Sequence, residues 1–194
     1  DVIRELRRKL GVRKMGHAGT LDPLATGLLI VGIGDATKGL SQLIGLPKTY
    51  EAEILLGVRT DSADADGKVI EQSVVPELSS GEVEKALASM IGALDLAVPA
   101  YSAIKRGGRP LYDYARKGEV MEAPIKQMIV RDAKLISYGA PIVRAVFDVS
   151  SGTYIRSLAH ELARRLGTIG TIQNLRRLSI GDYKIEDAKK LEDL

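Results

Sequence analysis

Residues 16–34 read GHAGTLDPLATGLLIVGIG, and this stretch constrains the fold of the chain more than any other. One carboxylate, Asp22, stands in a turn of small residues directly ahead of an apolar run, residues 28–33, which predicts a central strand. Pro23 disfavours helical backbone at Asp22 and pushes it towards an extended conformation. Gly16, Gly19 and Gly27 permit close approach of a second backbone or of a substrate. An acid held on such a turn can serve as nucleophile or general base. The same residues equally describe a structural turn in which Asp22 bonds its own backbone.

At 194 residues, with 45% hydrophobic and 27% charged residues, the chain suits one globular domain over residues 1–194. No Pro/Gly/Ser-rich linker divides it, and no internal repeat appears. No apolar run approaches membrane-spanning length, and no signal peptide opens the chain. Cysteine is absent, which excludes disulfides and thiolate chemistry and fits a reducing cytoplasm. Two histidines, His17 and His160, leave little material for a zinc site. The expectation is therefore no metal and no cofactor.

The net charge of +3 matters less than its distribution. Arg4, Arg7, Arg8, Lys9, Arg13 and Lys14 crowd the first segment, Lys105, Arg106 and Arg109 flank Gly107 and Gly108, and Arg176 adjoins Arg177. Three basic clusters on different elements make a polyanionic partner reasonable. Aromatic residues, at 4%, are too few for a long stacking platform along a single strand.

Periodicity places the elements. Asp1 can cap a helix ending near Leu10, with Ile3, Leu6 and Leu10 on one face and Gly11 as its stop. Tyr50, Ala52, Ile54 and Leu56 alternate with polar residues as a half-buried strand does. Ser79 and Glu82 form a capping box for a helix that turns Val83, Leu87, Met90 and Ile91 inward, with Gly92 beyond its end. A loop and a short helix, with Pro110 at its start and Gly118 at its stop, fall within residues 100–124, the expected mobile insertion. Strands follow over residues 128–138 and 142–149. A helix opening at Thr153 carries a stripe of Ile155, Leu158, Ala159, Leu162 and Leu166, and a last strand covers residues 172–180. Strands outnumber helices without alternating with them, which predicts an α+β fold with a mixed, largely antiparallel sheet and flanking helices.

Several motifs fail on inspection. Residues 61–67, DSADADG, suggest a calcium loop, but Ser73 stands where the twelfth-position acid should be. A solvated turn before the strand at Val69 is the alternative. His160-Glu161 starts like a zinc-protease helix, yet Arg164 stands where the second histidine belongs. Residues 32–37 lack the third glycine of a dinucleotide fingerprint. Arg156 falls in the first turn of its helix, where the dipole gives a cation nothing, so either an acid elsewhere holds it or it lies on the surface.

GHAGTLDPLATGLL resembles the catalytic motif of the TruB-type tRNA pseudouridine synthases, and GTYIRS at residues 152–157 resembles a second motif of that family. The resemblance implies that Asp22 is the catalytic residue, that Arg156 pairs with it, and that Tyr154 lines the pocket. In the same way Tyr50, in KTYE, matches the tyrosine that stacks on the target base, and His17 the histidine that accompanies base extrusion. Lys38 matches a lysine near the site, and Leu175 an apolar pocket residue. Residues 100–124 resemble the RNA-gripping insertion called the thumb. The implied reaction isomerises a uridine in the T-loop of tRNA, position 55, with no cofactor, membrane or protein partner, by a monomer. A guide-RNA-dependent relative, a glycosylase releasing uracil and a non-catalytic tRNA-folding chaperone are the rivals. Family members carry an opening strand with a Lys-Pro-x-Gly-x-Thr-Ser turn, and many carry a C-terminal PUA domain. Neither is expected in this chain.

Overall fold

The computed structural model describes residues 2–119 and 121–194. The chain opens with α1 (Val2–Leu10), then β1 (Met15–His17), β2 (Thr26–Gly27) and β3 (Val31–Ile33), a 3-10 turn (Gly34–Gly39) and α2 (Leu40–Ile44). Next come β4 (Lys48–Leu56), β5 (Val58–Thr60), β6 (Val69–Gln72), α3 (Ser80–Ala88) and β7 (Gly92–Ala97). The insertion holds β8 (Lys105–Arg106), β9 (Arg109–Pro110) and α4 (Leu111–Arg116). The last part supplies β10 (Ile125–Gly139), β11 (Ile142–Val149), α5 (Ile155–Arg165), β12 (Gly170–Ile180) and β13 (Tyr183–Lys184).

The main sheet runs β13-β12-β4-β11-β10-β7, all antiparallel, with the two-residue β2 added to β12 in parallel. It is the α+β, mixed and largely antiparallel sheet that the pattern predicts. β4 is buried at every second residue, so Tyr50, Ala52, Ile54 and Leu56 face the core as their alternation requires. α3 and α5 cover that face, and Val83, Leu87, Leu158 and Leu162 pack against Ile54, Phe147 and Ile172. Ser79 caps α3 as expected: its hydroxyl accepts from the Glu82 amide at 3.3 Å, and the Glu82 carboxylate accepts from the Ser79 amide at 2.7 Å. On the opposite face Arg144 pairs with Glu51 and Glu53 across the strands.

Four expectations change. Residues 28–33 are not a central strand: Leu28 ends against β12, and only residues 31–33 form a strand, paired with β1 in a separate two-stranded sheet. A continuous apolar run carries no period, so it cannot distinguish a central strand from a segment that covers an edge. Ile91 is 47% exposed because α3 stops at Ala88, and the tighter turn that follows buries Met90 but breaks the helical phase. Leu10 is exposed while Leu6 of the same stripe is buried. The helix expected from Thr153 starts at Ile155, with Tyr154 in extended backbone at its N-cap. The capping role expected of Asp1 lies outside the described residues. Among the described residues no helix is long and apolar enough to cross a membrane.

Candidate active site

Asp22 sits in a tight turn, its carbonyl accepting from the Ala25 amide at 2.9 Å. Its side chain does not bond its own backbone. It meets Arg156 instead: Nε donates to Oδ2 and Nη2 to Oδ1, both at 2.9 Å, a planar fork matched to a carboxylate. The two residues lie 134 positions apart in the chain. Arg156 is 3% exposed and Asp22 30%, so the cation is enclosed while the acid opens towards solvent.

Arg156 is fixed from two further sides. Nη1 donates to the Ser62 carbonyl at 2.9 Å and Nη2 to the Tyr101 carbonyl at 3.0 Å. Asp64 adds a second carboxylate, its Oδ2 lying 3.7 Å from Nη1. The acidic loop over residues 61–67 is therefore neither a solvated turn nor a calcium loop at this point. Ser62 and Asp64 are buried, and the Ser62 hydroxyl donates to Asp64 Oδ1. Arginine supplies five N–H donors and no acceptor, which suits it to a cage of carboxylates and carbonyls.

Above this pair opens a cavity of about 890 Å³. Asp22 and Arg156 share its wall with Tyr50, Tyr154 and Leu175, so five of the seven residues singled out from sequence converge here. Tyr50 is buried at the start of β4. Burial pushes its phenol up, opposed by the charge and hydrogen bonding of Arg177. Tyr154 reaches the cavity because it precedes α5 rather than lying within it, and burial raises its phenol as well, opposed by the Ser102 hydroxyl. His17 and Lys38 do not line the cavity. His17 pairs with Val31 between β1 and β3, with its Nδ1 buried and unpartnered among the described residues. Lys38 lies on the exposed 3-10 turn, 3.5 Å from Asp35.

Sequence reasoning missed two cations in this wall. Lys48 is 7% exposed and donates to the carbonyls of Ile44 and Leu46 at 2.9 and 2.8 Å. Burial pushes its ammonium down, aided by repulsion from Arg177. Arg177, grouped from sequence with Arg176 as a basic cluster, is wholly buried, while Arg176 beside it is exposed. The available signal was strand periodicity: Lys48 shares a face with Tyr50, and Arg177 with Leu175. From the insertion, Tyr112 and Arg116 also line the cavity, the guanidinium 5.3 Å from the ring centre.

Residues 7–155 match the model of the TruB family pseudouridylate synthase (N terminal domain). The chain belongs to the TruB family. Among curated TruB relatives, the tRNA pseudouridine synthase B of Xanthomonas axonopodis pv. citri (strain 306) is 45% identical over 194 residues, covering 100% of this chain and 63% of that protein. That of Psychrobacter cryohalolentis is 39% identical over 182 residues, 94% of this chain and 51% of the relative. The chain thus spans between about half and two thirds of the length of these relatives. Two solved structures share the TruB fold. A Cbf5-Nop10-Gar1 complex aligns with TM-score 0.72 at 24% identity, over 94% of this chain and 45% of that one. An H/ACA RNP bound to a substrate RNA containing 2'-deoxyuridine aligns with TM-score 0.73 at 22% identity, over 100% and 47%.

Proposed function

We propose that this protein isomerises uridine to pseudouridine in the T-loop of tRNA, at position 55, with Asp22 as the catalytic residue. The observation that carries the reading is the Asp22 carboxylate, held by both oxygens on a buried arginine and open to a cavity with aromatic and apolar walls. The tRNA pseudouridine synthase B names of the relatives support the substrate class.

The target uridine leaves the stack, since its glycosidic bond is inaccessible inside folded RNA. A cavity of about 890 Å³ has room for an extruded nucleotide. The base lies against Tyr50, and a ring face is the usual platform for a splayed RNA base. The N1–C1′ bond breaks, the uracil turns, and a C5–C1′ bond forms. The proton on C5 leaves to solvent and N1 takes one up, so composition is conserved and no oxidant, reductant or cofactor enters. Asp22 acts at the sugar by one of two routes, as nucleophile at C1′ or as base at C2′ through a glycal. Arg156 aims it. Leu175, Ile155 and Val149, in the cavity wall, keep the detached uracil from water. The thumb over residues 100–124 grips the RNA backbone, and the protein works in the cytoplasm as a monomer without a protein partner.

The test is incubation with unmodified tRNA carrying tritium at uridine C5, following tritium in water and free uracil together. Isomerisation releases one tritium per tRNA without free uracil, and replacement of uridine 55 by cytidine abolishes release. Uracil appearing in place of released tritium would overturn the reading in favour of a glycosylase. Tight binding with neither product would favour a chaperone.

A further inference from the structure

The loop that carries Asp22 belongs to no helix or long strand, so its shape must be held from outside. Its two ends converge on one residue. At the entering end, the Arg177 guanidinium donates from Nη2 to the Gly19 carbonyl at 3.2 Å and from Nη1 to the Thr20 carbonyl at 3.5 Å. At the leaving end Nε donates to the Leu28 carbonyl at 2.8 Å, and the Leu28 amide donates back to the Arg177 carbonyl at 2.8 Å. Gly27 pairs with Arg177 in the parallel β2–β12 register, at φ +101°, and a Cβ there would collide with the Arg177 backbone. The same arginine stands opposite Tyr50 in the β12–β4 register.

We infer that Arg177 is the positioning residue that closes the Asp22 loop and sets its distance from the Tyr50 ring. This rests on the proposed function for its chemical consequence, but not for the closure itself. Arg156 grips the carboxylate at the tip of the loop, while Arg177 grips the backbone at its base. Arg156, itself caged by the Ser62 and Tyr101 carbonyls, holds the carboxylate but touches no backbone of the Asp22 loop, so the path of that backbone is set at its base. A fully buried guanidinium is costly unless its donors are satisfied, and three carbonyls from opposite ends of one loop satisfy them only while that loop is closed. A lysine at this position keeps the charge and cannot span both ends.

The experiment compares the parent protein with Arg177→Lys and Arg177→Met, with thermal unfolding to confirm folding; the lysine variant serves if the methionine variant fails to fold. Amide hydrogen exchange reads the closure without any activity. Expected is exchange over residues 19–28 faster by about tenfold or more, with β4 and α5 unchanged. Single-turnover tritium release should then fall about 10²-fold, the scale of a 1 Å misplacement, with tRNA affinity within about threefold. The fraction of turnovers ending in free uracil should rise, a partition that lowered global stability would not alter. Unchanged exchange over residues 19–28, or turnover within about threefold of the parent in the folded lysine variant, overturns the inference. A parent without tritium release overturns the proposed function instead, and exchange still decides the closure.

Discussion

Replacing Arg156 by lysine keeps the positive charge and deletes the planar fork, so it separates geometry from charge. The guanidinium makes four hydrogen bonds, two to Asp22 and one each to the carbonyls of Ser62 and Tyr101. An ammonium carries three donors on a single atom and cannot span both Asp22 oxygens while reaching carbonyls on two other segments. At least one charge-assisted bond is lost, worth about 1.5–3 kcal/mol, and an orphaned buried carbonyl adds about 1–3 kcal/mol. A total of about 2.5–6 kcal/mol lowers Tm by roughly 5–24 °C in a domain of this size. Loss of the bidentate aim also slows single-turnover tritium release, by about 10²- to 10³-fold. Binding of tRNA, followed by filter retention, should stay within about threefold. Turnover within about threefold of the parent in a folded lysine variant would refute the claim that Arg156 works by geometry. A Tm unchanged to within about 2 °C would refute the account of its packing.

Asp22→Asn should slow tritium release by about 10⁴-fold or more while tRNA affinity holds, and a variant within about tenfold of the parent would remove Asp22 from the chemistry. Glu161, held by Arg164 and then Arg165, has its carboxyl lowered to about 2. Its folded pKa is depressed, so its contribution is complete above the unfolded value of 4.5 and is lost as pH falls through about 2. Urea titrations should place Glu161→Gln about 1–3 kcal/mol below the parent at pH 7, with more than half of that gap gone by about pH 3; a constant gap would contradict the pairing. Neutralising Lys105, Arg106 and Arg109 together should raise KM and leave kcat at saturation unchanged. Because Arg109 already pairs with Glu119 and stacks 4.1 Å from the Tyr114 ring centre, the salt slope of tRNA binding should flatten by about two phosphate contacts rather than three. A fall in kcat with unchanged binding would move the insertion into the active site.

Where the signal was local, it was legible. The alternation of β4, the stripe of α5 and the paired bonds of the Ser79–Glu82 cap depend on residues within a few positions of one another, and each appears as read. Asp22 stood out because Pro23 restricts its backbone and the nearby glycines permit close approach, and Arg156 because its place in a first helical turn lacked a local reason. Less local readings fared worse. The apolar run over residues 28–33 had no period to say which surface it would cover. Asp64 looked solvated because an acid in a polar loop ordinarily is, and only packing against β12 brings it beside Arg156.

By itself the sequence determined the alternation and capping of individual elements, the α+β class, and two conspicuous residues near opposite ends of the chain, because each rests on short-range sterics and periodicity. The tertiary structure alone decided which charges are interior. Asp22 meets Arg156 across 134 residues, and Arg177 reaches the Leu28 carbonyl across 149. A buried arginine is stable only where several acceptors converge on it, and for Arg177 all three, for Arg156 two of four, are backbone carbonyls that every residue possesses, so no side-chain pattern marks them before the chain folds.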